Sequence, residues 1–237
     1  MSFNCLQNWF ASTAFGKYLS ELERQFLQQK LSKLRFGTIL QNGFPAWQFK
    51  DVFATEAQYI IQNNDYAEHT MLIADSLAMP WNDQCIDTLI WPHGIDEIVT
   101  DEQALTEAAR ILVPGGCILL TGLNNKGYWR FYYRRQANLK LWQPRSVANV
   151  VNKLKIHNLY LTEGHFLGYG VPGCYGTGHQ TIEFMGNRWW PHLAAVYGLV
   201  FVKRNIPLTL IPNQLTKEKL DNDLLGVKIM PLCAKDQ

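Results

Sequence analysis

The sequence lacks the markers of several protein classes. No apolar run reaches the roughly 18 residues that a membrane-spanning helix needs, and residues 1–10 lack the cationic and apolar regions of a secretory leader. The five cysteines are scattered, without a Cys-x-x-Cys pair or the His/Cys spacing of a metal site. We therefore expect reduced thiols, no metal ion and a cytoplasmic protein. The formal net charge of +2 argues neither for nor against a nucleic-acid partner, so any basic patch must be found locally.

Apolar periodicity predicts an α/β protein. Of the 237 residues, 47% are hydrophobic, which is enough for one large core. An apolar stripe predicts a helix over 13–35, with Ser12 and Thr13 as candidate caps. Short apolar runs bounded by turn residues predict five strands, at 38–40, 57–61, 70–74, 86–91 and 117–121.

A second helix is predicted between the last two of these strands. Thr100 and Gln103 would form a capping box at its start. Its buried face would comprise Leu105, Ala108, Ala109 and Leu112, and the run Pro114-Gly115-Gly116 would end it. Alternation of strands and helices predicts a mostly parallel sheet with helices on both faces.

The rest of the chain predicts how the sheet closes. Residues 146–155 are expected to form a helix, and 159–170 and 194–204 two closing strands that form an antiparallel hairpin. Between these strands, 170–192 reads as a long loop, whose glycines make it a candidate substrate mouth. We expect one domain over 1–204 and a tail over 205–237.

Three motifs follow one another in the first half of the chain. They are a turn that begins Ala74-Asp75-Ser76 and reaches Pro80, a strand that begins Ile86-Asp87, and a helix that ends Arg110-Ile-Leu-Val-Pro-Gly-Gly116. In this order and spacing they resemble the class I S-adenosylmethionine (SAM)-dependent methyltransferases, methyltransferase type 11 group, over 36–122. The whole chain is similar to a small bacterial subgroup of that family.

The resemblance implies a fold, a cofactor and a reaction. The fold would be Rossmann-like, with a seven-stranded sheet whose core is 36–122 and with a lid and closing strands over 123–204. SAM would be the cofactor, and its methyl group would pass to a nucleophile of a substrate whose class the sequence does not indicate. Such chemistry needs mainly alignment, and a base only where the nucleophile carries a proton.

Two turns would hold the cofactor if the resemblance is carried over residue by residue. Asp75 would accept a hydrogen bond from the adenine amino group, with Ser76 and Leu77 beside it. Trp91 and Pro92 would lie at the end of the fourth strand, where the Trp91 ring could face the sulfonium cation. The alternative for Asp75 is a turn-forming residue that caps Ser76 and Leu77.

His93 is the candidate catalytic residue. It ends the fourth predicted strand opposite the expected methyl donor, and a histidine there can take a proton from a substrate near pH 7. The alternative is a histidine that only orders the turn over 92–95.

The turn after the first strand departs from the family pattern. Gln41, Asn42 and Gly43 stand at the cofactor-binding positions, but Gly43 is the only one of the usual glycines that remains. Pro45 removes a backbone donor and Trp47 adds bulk where close backbone approach is needed. This turn favours an alternative function, a catalytically inactive binding module with the same fold. The absence of Gly-x-Gly-x-x-Gly after the first strand excludes an NAD(P) enzyme.

A basic and aromatic segment spans 126–145. It holds six basic residues, no acidic residue and six aromatic residues. This composition suits an anionic, partly apolar partner, such as a lipid-like substrate at a membrane surface, or a nucleic acid. The alternative is a lid helix with its aromatic side chains turned inward.

Overall fold

The structure is a computed structural model that describes residues 2–34, 37–53, 57–96, 102–127, 144–170 and 179–204. The helices are α1 (Ser2–Ser12), α2 (Ala14–Leu31), α3 (Glu102–Ile111), α4 (Val147–Ile156) and α5 (His179–Trp189). The strands are β1 (Thr38–Asn42), β2 (Gln58–Asn63), β3 (Leu72–Ile73), β4 (Ile86–Pro92), β5 (Leu112–Leu123), β6 (Leu159–Leu167) and β7 (Val196–Lys203). Short 3₁₀ helices occupy Lys50–Val52 and Pro191–Leu193.

All seven strands form one sheet in the order β3-β2-β1-β4-β5-β7-β6. The pairs from β3 to β5 are parallel, and β7 is antiparallel to both β5 and β6. This confirms the predicted mostly parallel sheet with an antiparallel C-terminal pair. From β1 the chain builds β2 and β3 on one side and then β4 and β5 on the other. The order therefore reverses between β1 and β4, and the carboxyl ends of these strands border the crevice where open α/β sheets bind ligands.

Helices cover both faces of the sheet, as predicted. The first core packs α1 and α2 on one face, with Leu19, Leu27 and Leu31 fully buried. The second packs α3 and α4 on the other face, around Ala108 and Leu154. The hydroxyl of Thr13 accepts a hydrogen bond from the Gly16 amide at 3.0 Å, so Thr13 caps α2 as expected. Helix α1 was not predicted.

The predicted end of α3 is wrong. The helix ends at Ile111, and Pro114-Gly115-Gly116 lies inside β5. Ile86 pairs with Leu112 while Thr88 pairs with Cys117, so three extra residues of β5 bulge out, with Gly115 at a φ of +83°. Glycine adopts this φ without steric cost. Gln103 donates to the Leu77 carbonyl at 3.1 Å instead of closing a capping box, and Thr100 lies outside the described residues.

The predicted loop over 170–192 is also wrong, because it contains α5. In α5, Phe184, Met185 and Trp189 are exposed, so these large side chains do not form a buried apolar stripe. The predicted tail over 205–237 and most of the basic and aromatic segment lie outside the described residues. Within the described ranges, no helix has the length and apolar character needed to cross a membrane.

Candidate functional site

The turn after β1 is held by its own side chains. Gly43 has a φ of +85° and Phe44 a φ of +53°. The fully buried Gln41 amide donates to the carbonyls of Gly43 (3.1 Å) and Phe44 (2.7 Å), and its oxygen accepts from the Tyr59 hydroxyl. The Trp47 amide donates to the Phe44 carbonyl at 2.8 Å. The polar atoms of Gln41 are therefore engaged within the protein.

Three aromatic side chains, which we call the aromatic plug, fill the crevice between β1 and β4. They are Phe10, Phe44 and Trp47, each at most 5% exposed. The Phe44 ring centroid lies 4.6 Å from that of Trp47 and 5.4 Å from that of His93. Phe10 comes from α1 and lies 5.7 Å from Phe44 and 5.1 Å from His93. The turns after β1 and β4 thus meet through side chains.

His93 lies fully buried between two carboxylates, in what we call the buried charge cluster. Its Nδ1 is 2.9 Å from an Asp96 oxygen, and its Nε2 is 3.1 and 3.3 Å from the two oxygens of Glu23. Both carboxylate side chains are also fully buried. Burial alone would lower the pKa of His93, but the charges and hydrogen bonds of Glu23 and Asp96 outweigh it and raise this pKa to about 9. The imidazole is therefore a cation at neutral pH.

The buried charge cluster joins three elements. Glu23 belongs to α2, His93 follows β4, and Asp96 accepts a hydrogen bond from the Leu123 amide at the end of β5 at 2.7 Å. The other Asp96 oxygen is buried and has no hydrogen-bond partner among the described residues, and burial is the main cause that raises the pKa of this carboxyl. Sequence reasoning missed Glu23 and Asp96. The available signal was Glu23 itself, an acidic residue on the apolar stripe of α2.

Trp91 lies on the other face of the sheet. It is fully buried in the second core, whereas Phe44 belongs to the first. Its indole packs so closely on Gly94 that no larger residue would fit there. Pro92 is also buried and pairs with Thr121 in the sheet. Trp91 and His93, proposed neighbours of the methyl donor, therefore do not share one surface.

The turns after β2 and β3 are polar and partly exposed. Ser76 is buried, and its hydroxyl bonds to Asn42 and Asn64 at 2.8–3.2 Å. Asp75 is exposed, and one of its carboxylate oxygens accepts from the Leu77 amide at 2.9 Å. Asp65, also exposed, follows β2. We call the side formed by Asn64, Asp65 and Asp75 the polar edge.

Arg110 fixes the chain beyond the polar edge. Its guanidinium donates to both Glu107 oxygens at 2.8–3.0 Å, to Asp83 at 2.6 Å, and to the carbonyls of Met79 and Trp81. The Arg110 hydrogen bond is the main cause that lowers the pKa of Glu107. The Arg-x-Leu-type motif at the end of α3 therefore anchors the turn that carries Asp75.

A surface cavity of about 400 Å³ opens beyond the end of β5. It is lined by three amides and two cationic side chains, from Asn125, Arg145, Asn149, Asn152 and Lys153. The start of the expected glycine-rich mouth is held in place, because the amides of Gly168 and Tyr169 donate to Glu183 and that of Gly170 to Tyr18. Gly173, Gly176 and Gly178 lie outside the described residues. The described residues contain no group of three metal-ligating side chains.

Two solved structures with a similar fold are SAM-dependent methyltransferases. One from Thermotoga maritima is 14% identical with a TM-score of 0.58, covering 86% of this chain and 100% of its own. One from Archaeoglobus fulgidus is 11% identical with a TM-score of 0.55, covering 76% and 94%. A complex of a Haloferax volcanii methyltransferase with the Trm112 methyltransferase activator matches at 14% identity and a TM-score of 0.57, covering 86% and 98%.

No protein-family model and no curated protein sequence matches the chain. At these identities the likeness concerns the fold, which is the Rossmann-like fold of SAM-dependent methyltransferases.

Proposed function

We propose that the protein is a SAM-dependent methyltransferase whose cofactor site is open at its adenosine end and closed at its amino-acid end. The observation that carries the proposal is the polar edge, where the exposed Asp75 lies in the turn after β3. The next residue, Ser76, bonds to Asn42 at the end of β1, the strand that borders the reversal of strand order. Asp75 would accept from the adenine amino group, while Asn64 and Asp65 at the end of β2 are candidates for the ribose hydroxyls.

The residues at the other end do not fit the amino-acid part of SAM in the arrangement described. Phe44 and His93 occupy the crevice, and the amide of Gln41 is already bonded to the turn that would have to bind the ligand. Asn42 is bonded to Ser76. We therefore expect SAM binding that depends mainly on the adenosine part of the cofactor.

His93 supports a positioning role better than a catalytic one. Both ring nitrogens are held by carboxylates, and the ring lies beneath Phe10 and Phe44, away from any solvent. A general base must reach the proton that it removes. This geometry favours the alternative role foreseen for His93, which is to order the turn after β4.

A second candidate function is a binding module without catalysis, and the aromatic plug favours it. A protein of this fold that has filled its crevice with its own side chains keeps the surface of the fold for partners. The composition of 126–145 supports an anionic and partly apolar partner in either case, such as a lipid-like substrate or a membrane surface.

Calorimetric titration with SAM, S-adenosylhomocysteine and adenosine tests the proposal. We expect weak binding of all three, with affinities within about tenfold of one another because the adenosine part makes most of the contacts. If no ligand binds or raises the melting temperature of the folded protein at millimolar concentration, the binding module is the function that remains.

Phe44→Gly is the variant that should open the crevice. It removes a plug ring and suits the positive φ at this position. It should tighten SAM and S-adenosylhomocysteine by about tenfold or more, since each recovered hydrogen bond contributes about 0.5–1.5 kcal/mol, and leave adenosine unchanged. Phe49→Gly is the control, because Phe49 is equally buried in the same core but makes no ring contact with His93 among those described. If both variants change the affinity for SAM equally, the aromatic plug is not what blocks binding of its amino-acid part.

A further inference from the structure

The outer side of α5 and the residues after it expose a cluster of large apolar side chains. We call this cluster the α5 face. The exposed fractions are 72% for Phe184, 46% for Met185, 68% for Trp189, 55% for Trp190 and 47% for Leu193. These are half of the ten large hydrophobic residues that are exposed in the described part of the chain. Contiguous exposed apolar surface of this kind marks an interaction site.

The inner side of α5 is anchored, which fixes the direction of the exposed residues. Glu183 accepts hydrogen bonds from the amides of Gly168 and Tyr169 at 3.0 and 2.8 Å and from the Tyr18 hydroxyl. Gly186 is buried directly against the Tyr169 ring, where a side chain would not fit. With Glu183 and Gly186 turned inward, Phe184 and Met185 lie on the opposite side of the helix. Trp189 lies at the flank of the helix and is 68% exposed.

The exposed charge of the α5 face is basic. Arg188 is exposed among the apolar residues, and His192 is exposed just beyond them. Glu183 is the single acidic residue of 179–193, and its carboxylate is engaged on the inner side. The α5 face is therefore apolar, aromatic and weakly cationic, with no exposed acidic side chain.

We propose that the α5 face docks on an anionic lipid surface, with α5 lying in the plane of the headgroups. Tryptophan and phenylalanine favour the boundary between headgroups and acyl chains, and an arginine beside them pairs with lipid phosphates. Charge complementarity selects an anionic surface, and the same sign and aromatic character recur in the sequence of 126–145. The proposal is independent of the polar edge and of cofactor binding.

Sedimentation with vesicles of equimolar phosphatidylcholine and phosphatidylglycerol tests it. The full chain should bind, and the triple variant Phe184→Ser/Trp189→Ser/Trp190→Ser should lose about tenfold or more in partitioning because three aromatic side chains no longer enter the boundary. Arg188→Gln should lose about fivefold at low salt and less at high salt. Pure phosphatidylcholine vesicles should bind the wild-type protein more weakly than the mixed vesicles.

The matched control changes three exposed apolar residues at the other edge of the sheet. Tyr66, Met71 and Ile73 are 82%, 60% and 57% exposed, and their replacement by Ser should leave vesicle binding unchanged. Brominated phosphatidylcholine should quench tryptophan fluorescence of the wild type and of this control more than that of the triple variant, because only the triple variant lacks Trp189 and Trp190.

Three results would overturn the proposal. They are a wild-type chain that ignores both kinds of vesicle, a control variant that loses as much binding as the triple variant, and a dimer in analytical ultracentrifugation that the triple variant alone dissociates. The last result would assign the α5 face to a second copy of the chain. Ligand titrations without vesicles should be identical for the wild type and the triple variant, so failure here leaves the cofactor proposal untouched.

Discussion

The aromatic plug and the α5 face are built from the same kinds of residue and lie in opposite environments. Phe10 and Trp47 are 2% and 5% exposed, whereas Phe184 and Trp189 are 72% and 68% exposed. The plug rings contact one another and His93, with centroids 4.6–5.7 Å apart. The aromatic side chains of the α5 face point outward from a helix anchored by Glu183 and Gly186.

The difference shows that aromatic content alone does not say whether a segment supports the fold or meets a partner. The role of an aromatic side chain depends on which side of its helix packs against the rest of the protein. Phe10 lies on the side of α1 that faces the sheet, so its ring completes the first core. On α5 a carboxylate, Glu183, and a glycine, Gly186, take inward positions, while Phe184 and Trp189 are exposed. Four predictions test this difference.

The largest expected effect is on stability. Phe10→Ala should lower the free energy of unfolding by about 3–5 kcal/mol, the usual range for removing a buried phenylalanine side chain. Phe184→Ala should change it by no more than about 0.5 kcal/mol, as at other exposed positions. Urea denaturation of the two variants measures both values. Equal losses would mean that the α5 face is covered in solution.

The second prediction concerns the charge beneath the plug. The pKa of His93 is raised from 6.5 to about 9 in the folded protein. A raised pKa contributes stability that is complete below pH 6.5 and is lost as the pH rises through 9. The free energy of unfolding should therefore fall by roughly 3 kcal/mol across this window. Burial holds the pKa of Tyr197 well above its usual value, so this neighbour does not titrate there.

His93→Gln provides the control for the pH prediction. The variant removes the titrating group and should flatten the curve between pH 6.5 and 9, whatever its absolute stability. Urea denaturation at several pH values gives both curves. A wild-type stability that stays constant or rises over this range would show that His93 is neutral in the folded protein.

The fold was predictable because local patterns agree with the sheet. Each of the five predicted parallel strands is an apolar run between turn residues, and each appears with its ends moved by a few residues. The misses have physical causes. At the end of α3 the proline and glycine run marks a bulge in β5, and such a run does not distinguish a bulge from a helix end. In α5 the residues shown to face inward, Glu183 and Gly186, are polar or small, so they give no apolar signal at helical spacing.

The candidate site was less predictable. Asp75 and His93 were singled out because they follow strands, whose ends sequence order locates. The partners of His93 were not, because Glu23 lies 70 residues away in the sequence and reaches it only through packing of α2 on the sheet. The position of His93 in the sequence also does not reveal that its side chain is buried. Burial makes the ring inaccessible to a substrate, and the two buried carboxylates beside it raise its pKa.

The third prediction tests the polar edge on its own. Asp75→Ala should weaken S-adenosylhomocysteine binding by about 1.5–3 kcal/mol, the range for a hydrogen bond to a charged group. Because Asp75 is exposed, the fold should remain intact. Calorimetry measures the affinity, and Asp83→Ala is the control for loss of a nearby acidic residue. Unchanged affinity in Asp75→Ala would remove this residue from the site and leave it as a turn former.

The smallest expected effect separates two ways of emptying the plug. Phe44 has a φ of +53°, a region that costs a residue with a side chain about 1–2 kcal/mol and glycine almost nothing. Glycine loses more conformational entropy on folding, which offsets about 0.4–1 kcal/mol of that advantage. Phe44→Gly should therefore be more stable than Phe44→Ala by about 0.5–1 kcal/mol, although both lose the ring. Urea denaturation of the pair measures the difference. Phe44→Ala at least as stable as Phe44→Gly would mean that the turn relaxes out of the positive φ region once the ring is gone, and the crevice would then change shape as well as volume.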